Sequence, residues 1–166
     1  MSRGITIVIA DKTRGEMVKV KNTEYTYTIE DKCLIHNPDN KEEAMNYPII
    51  YKNRFTSAMM DLADILYINA SSKDNNTKYI DLQTAEQLAQ AINYCLQFHD
   101  KDEDGAVRAL LNNPYVDDIE GCAIYSDDFS WEWKNCLSTL QMYVTLVNSN
   151  DCYGAGELTL YIHAWG

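Results

Sequence analysis

A chain of 166 residues with 46% hydrophobic side chains is long enough to bury one core and too apolar for intrinsic disorder. Its formal net charge of −11 disfavours a nucleic-acid surface wherever the excess acid lies, because phosphate contacts need lysine and arginine. No apolar run approaches the roughly 18–20 residues of a membrane-spanning helix. The run Ile5 to Ala10, which Asp11 ends, is too short for a secretory signal core. A single domain over residues 1–166, soluble and cytoplasmic, is the expectation. Five scattered cysteines (Cys33, Cys95, Cys122, Cys136, Cys152) with no CxxC pair fit thiols in a reducing compartment better than a disulfide frame.

Ile5, Ile7 and Ile9 alternate with Thr6 and Val8, which predicts a strand over 4–10. A turn at 11–15 and a second strand over 16–21 complete an N-terminal hairpin, with Lys19 and Lys21 suited to an edge. Tyr25, Tyr27 and Ile29 predict a third strand over 24–30. From Cys33 to Tyr51 the pattern blurs around 36–40 and Pro48, so this stretch reads mostly as loop with a helical turn at 41–46. Phe55, Met59, Leu62 and Leu66 recur at helical spacing and predict an amphipathic helix over 54–70. After a polar loop, 78–82 reads as a short strand. Thr84-Ala-Glu-Gln87 has the form of a capping box. Ala85, Leu88, Ile92, Cys95, Leu96 and His99 then line one face of a helix ending near 99.

A second short helix over 104–112 is stopped by Pro114, and 115–121 reads as an acidic loop. Short strands are predicted at 122–125 and 130–133. Leu140, Met142, Val144 and Leu146 alternate with more polar neighbours, as do Leu158, Leu160, Ile162 and Ala164. Period two in both runs predicts a C-terminal hairpin at the centre of the sheet, with its turn over 148–156. Strands first, helices in the middle and strands last give an α+β fold: a mainly antiparallel sheet with N-terminal and C-terminal hairpins and two central helices packed on one face.

The charge is uneven. Residues 1–83 carry 12 acids and 11 bases; residues 84–166 carry 13 acids and 3 bases. Within 100–132 there are 10 acids against Lys101 and Arg108. Such a segment projects a negative field and favours a basic protein partner. Candidate partner-binding residues are Asp100, Asp102, Glu103, Asp104, Asp117, Asp118, Glu120, Asp127, Asp128 and Glu132, with the aromatic side chains Tyr125, Trp131 and Trp133 beside them. Aromatic rings add contact area at low entropy cost and carboxylates attract arginine.

Other chemistry is poorly supported. Asp100-Lys-Asp102-Glu-Asp104-Gly105 opens like a calcium loop, but its twelfth position is Leu111 instead of a bidentate glutamate. Cys33-Leu-Ile-His36 has the spacing of half a zinc site, with Cys95 and His99 as a conceivable second half. There is no nucleophile elbow and no glycine-rich phosphate loop. No metal or cofactor is expected, and neither direct nucleic-acid binding nor membrane association. The oligomeric state is left open.

In size, acidity, tyrosine content and lack of catalytic motifs, the chain resembles phage-encoded inhibitors of host defence, including anti-CRISPR proteins and DNA mimics, and immunity proteins that block nuclease toxins. No motif aligns and no residue is carried over. The resemblance implies a non-enzymatic acidic binding protein that occupies the cleft of a basic nucleic-acid-handling partner, or an immunity protein against a nuclease toxin. A small enzyme with a composite carboxylate or Cys/His site and a self-associating structural protein are the alternatives from other classes.

Overall fold

Every residue of the first strand, β1 (Gly4–Asp11), is buried. Ile5, Ile7 and Ile9 point to one side; Val8 and Ala10 point to the other. A strand apolar on both sides needs cover on both faces, and the rest of the chain supplies it. The computed structural model describes residues 2–97, 112–122, 124, 130–149 and 157–166. It shows an α+β fold with a curled, mostly antiparallel sheet of seven strands in the order β3-β4-β5-β1-β7-β6, with β2 also paired to β5.

The first surprise lies between β1 and β2 (Glu16–Lys19). Both pair antiparallel to one long strand, β5 (Glu43–Phe55), so the chain does not reverse between them. Residues Lys12–Arg14 form one turn of 3-10 helix, started by Asp11, whose carboxylate accepts from the Thr13 backbone N–H and hydroxyl. From Ala10, opposite Ile49, to Glu16, opposite Asn46, β1–β2 spends six residues where β5 spends three. The expected N-terminal hairpin is therefore a jog along one edge of β5.

The expected loop over 33–51 is also corrected. It holds β4 (Cys33–His36) and most of β5, including the 41–46 stretch read as a helical turn. Pro48 misled the reading because proline removes a ladder donor. The Ile49 N–H reaches the Lys32 carbonyl on the β4 side. One residue back on a pleated strand, the missing N–H of Pro48 faces the other edge, where the jog leaves no ladder partner. Strand β3 (Tyr27–Ile29) pairs with β4, and the sheet curls until Tyr27 meets Tyr161 of β7 (Leu158–Trp165), ring centroids 5.2 Å apart. Val8, Ala10, Leu34 and Tyr161 form the smaller core inside this curl.

Helices cover the opposite face. They are α1 (Met60–Ile65), entered by a 3-10 turn at Ser57–Met59, α2 (Leu82–Gln97), α3 (Val116–Glu120) and α4 (Ser130–Asn148). Strand β6 (Thr77–Ile80) pairs with β7 ahead of α2. The helices expected over 54–70 and 84–99 are thus present, the first much shorter. The 104–112 helix falls almost wholly outside the described residues.

The other major correction is α4. The strands expected at 130–133 and 139–147, and with them the C-terminal hairpin, are one helix of 19 residues. Trp133, Cys136, Leu140, Tyr143 and Val147 are its buried stripe, spaced three, four, three and four. Met142, Val144 and Leu146 only flank the core. Because so many positions are apolar, a period of two could be read through the same residues. At 122–125, Cys122 lies in a turn and Ile124 in a 3-10 turn instead of a strand, and Ala123 and Tyr125 lie outside the described residues.

Glu132 fixes how α4 meets the sheet. It is 1% exposed, and its carboxylate accepts from the Thr56 backbone N–H at 3.0 Å and the Thr56 hydroxyl at 2.8 Å. Thr56 begins the helical stretch that runs into α1 and has no side-chain cap of its own. A glutamate from a distant helix thus supplies the anion that this amino terminus needs. Glu132→Ala would remove a buried charged acceptor and strand two donors, at a cost of about 2–3 kcal/mol. Chemical denaturation should show that loss, with Thr56→Ala in the Glu132→Ala background adding little.

Candidate functional site

Of the acids singled out from the sequence, Asp117, Asp118 and Glu120 lie on α3; Asp117 and Asp118 are exposed. Asp100, Asp102, Glu103, Asp104, Tyr125, Asp127 and Asp128 lie outside the described residues, as does the whole Asp100–Gly105 loop. Trp131 is 54% exposed at the start of α4. Glu132 and Trp133 are interior, 1% and 0% exposed, so in this fold they face the core and not a partner. Helical geometry turns Trp131 outward and its two successors inward, where the strand reading had both tryptophans on one face.

Asp117 and Asp118 are joined by two acids that the sequence reading passed over. Asp61 and Asp64 of α1, Tyr67, and Asp117, Asp118 and Cys122 line one open hollow of about 450 Å³. The described lining contains no lysine or arginine. The two helices meet because each buries its apolar side under the acids: Leu62 and Ala63 on α1, Val116 and Ile119 on α3. Asn113 anchors the approach to α3, donating to the Gln87 carbonyl at 2.6 Å and accepting from the Tyr115 N–H at 2.9 Å.

Tyr67 stands on the rim. The Ile68 N–H bonds the Ala63 carbonyl and the Tyr67 N–H bonds the Asp64 carbonyl, the double bond pattern that closes a helix through a left-handed residue. That residue is usually glycine; here it is Tyr67, at φ 59° and 88% exposed.

The hollow's electrostatics are registered by Cys122. Burial, then the neighbouring carboxylates of Asp61 and Asp118, push its thiol up to about 12. Its Sγ donates to the Asp118 carbonyl at 3.2 Å. A thiol so placed is a poor nucleophile. No disulfide joins the described cysteines.

The half zinc site does not assemble. Cys33 and His36 sit three apart on a strand and so face opposite sides. Cys33 Sγ donates to Glu30, while His36 stacks on Tyr27 at 4.5 Å. Cys95 is buried in α2, and His99 lies outside the described residues. Among the described residues, no group of three or more His, Cys, Asp or Glu side chains is placed to hold a metal ion. None of the described helices is long and apolar enough to cross a membrane.

No protein-family model, no curated protein and no solved structure matches the chain.

Only the thiolate of Cys122 reacts with iodoacetamide. With the thiol held near 12, carbamidomethylation at pH 8 should run a hundredfold or more below an ordinary cysteine near 8.5. Asp61→Asn with Asp118→Asn should raise the rate several-fold. Peptide-resolved mass spectrometry of timed samples measures both.

Proposed function

We propose that the protein is a non-enzymatic binding protein that docks on a basic, nucleic-acid-handling partner and occupies its cleft, with the acidic hollow and Tyr67 in the contact. The observation that carries this reading is the conformation of Tyr67. A side chain other than glycine in the left-handed region costs about 1–2 kcal/mol. At 88% exposure, the Tyr67 ring recovers almost none of that through burial. A large aromatic side chain held in water at a cost to stability suits a surface that is covered when the protein acts.

The surroundings fit the same reading. Four aspartates from two helices face the hollow beside the ring. Tyrosine next to carboxylates suits an arginine-bearing surface: the ring accepts the cation's face and the acids accept its N–H groups. Charge would mainly speed the encounter, and the covered ring would mainly hold the complex. The net −10 of residues 84–166 extends the attraction beyond the hollow.

Capture from a lysate of the source cells, at low and high salt, should retain a basic nuclease or other nucleic-acid-binding protein that added nucleic acid displaces. With that partner in hand, Tyr67→Gly should raise folding stability by about 0.5–1 kcal/mol. The same change should weaken the complex by about 2 kcal/mol, mostly through faster dissociation. Asn at Asp61, Asp64, Asp117 and Asp118 should slow association about tenfold and flatten its salt dependence. Unchanged kinetics in both variants would rule out this surface as the docking site.

A further inference from the structure

On the face of β7 away from the helices, two hollows meet beside the end of the strand. One, of about 370 Å³, is lined by Thr6, Glu30, Asp31, Lys52 and Arg54; the other, of about 350 Å³, by Tyr25, Tyr27, Ala70 and Asn76. Ile29, His163 and Trp165 line both, which makes them two arms of one groove between β3 and β7. Its size suits a small molecule.

The groove's polar groups are positioned by contacts behind them. The Trp165 indole N–H donates to the Thr6 hydroxyl at 3.1 Å, and its ring lies so close over Gly4 that a Cβ there would collide with it. Arg54 holds its guanidinium 4.8 Å from the Trp165 ring centroid. Lys52 is engaged by the carbonyls of Glu30 and Asp31, at 3.5 and 3.3 Å, and by the Asp31 carboxylate at 3.8 Å. Glu30 in turn accepts from Cys33. Glu30 and Asp31 line this arm too, but among the described residues no carboxylate forms a salt bridge with Arg54, so its cation remains open to a ligand.

The other arm is aromatic, and no Asp, Glu, Lys or Arg side chain is among its lining residues. Tyr27 is held between His36, stacked at 4.5 Å, and Tyr161. The Thr77 hydroxyl donates to Asn76 Oδ1 at 3.1 Å and is hydrogen-bonded to His163 Nδ1 at 2.8 Å. Burial lowers the His163 pKa from its ordinary value, the Asn76 backbone carbonyl opposes this, and Arg54 lowers it further, which leaves the ring neutral near pH 7.

We propose that this groove binds a small aromatic acid, its carboxylate or phosphate on the N–H edge of Arg54 and its ring in the arm lined by Tyr25, Tyr27 and Ile29. With its Cζ 4.8 Å from the Trp165 ring centroid, the Arg54 guanidinium sits at the groove, and a guanidinium offers the paired donors that a carboxylate or phosphate oxyanion accepts. Because the groove is held in place before binding, little ordering is left to oppose it. This site lies on the opposite face of the sheet from the helices that carry the acidic hollow, and it stands independently of the partner proposed there.

The probe is phenyl phosphate, titrated into 15N-labelled protein, with the Trp165 indole N–H signal as reporter, assigned by its loss in Trp165→Phe. A saturable shift is expected, with inorganic phosphate and phenol each binding at least tenfold more weakly. Arg54→Gln should weaken phenyl phosphate about tenfold. Arg54→Lys should fall between the two, because it keeps the charge and loses the fork. Arg54 is exposed, so neither change should disturb the rest of the spectrum. No shift at Trp165, equal binding of inorganic phosphate (a surface anion contact only), or unaltered affinity in Arg54→Gln would each overturn the proposal.

Discussion

The architecture depends on hiding β1 from both sides. Ile5, Ile7 and Ile9 need a helical layer, while Val8 and Ala10 need something else. That something is the sheet's own far end. β5 is long enough to pair with β1 over one half and with β2 and β4 over the other. It therefore carries β3 and β4 round until Tyr27 and Leu34 close over Val8 and Tyr161. One two-sided strand thus fixes both layers. It also divides the surface, since the helical layer displays the acidic hollow and the curled side displays Arg54, Trp165 and the tyrosines.

The elements set by local pattern were legible in the sequence. The alternation in β1 and β7, and the apolar face of α2 from Ala85 to Cys95, read directly as strands and helix, and with them the α+β class. What failed were features decided at a distance. Nothing within 11–15 distinguishes a reversal from a jog; the partner edge of β5 decides. Nothing near Pro48 tells that its missing donor faces a gap. In α4, the competing periods are both present locally. The stripe Trp133, Cys136, Leu140, Tyr143 and Val147 becomes visible only if 130–148 is taken as one piece instead of being divided into a strand at 130–133 and another around Leu140 to Leu146. β-branched Val144, Thr145 and Val147 encourage the strand reading, and burial against α2 overrides them.

The site was legible to a smaller degree for a related reason. Grouping acids by nearness in sequence found Asp117 and Asp118 and missed Asp61 and Asp64, which the packing of α1 against α3 brings to the same hollow. Grouping aromatic and acidic neighbours put Trp131, Glu132 and Trp133 on one surface, whereas the helix exposes Trp131 and buries the other two, because consecutive residues on a helix point about 100° apart. Tyr67 gave no signal at all: a tyrosine after Leu66 marks nothing until the helix is seen to end on it. The segment Leu62 to Tyr67 continues the helical apolar spacing, so the sequence extends the helix where the backbone closes it.

Glu132 and Tyr67 also show opposite uses of the same short helix. At its entry, a buried carboxylate from α4 satisfies the amino-terminal groups, so that end is tied into the core. At its exit, an exposed tyrosine takes a backbone conformation that glycine would adopt more cheaply. The exit residue lines the same hollow as Asp64, Asp117 and Asp118. Stability at the fixed end permits strain at the free one, since a helix of only six residues holds its shape through packing and not through its own propensity.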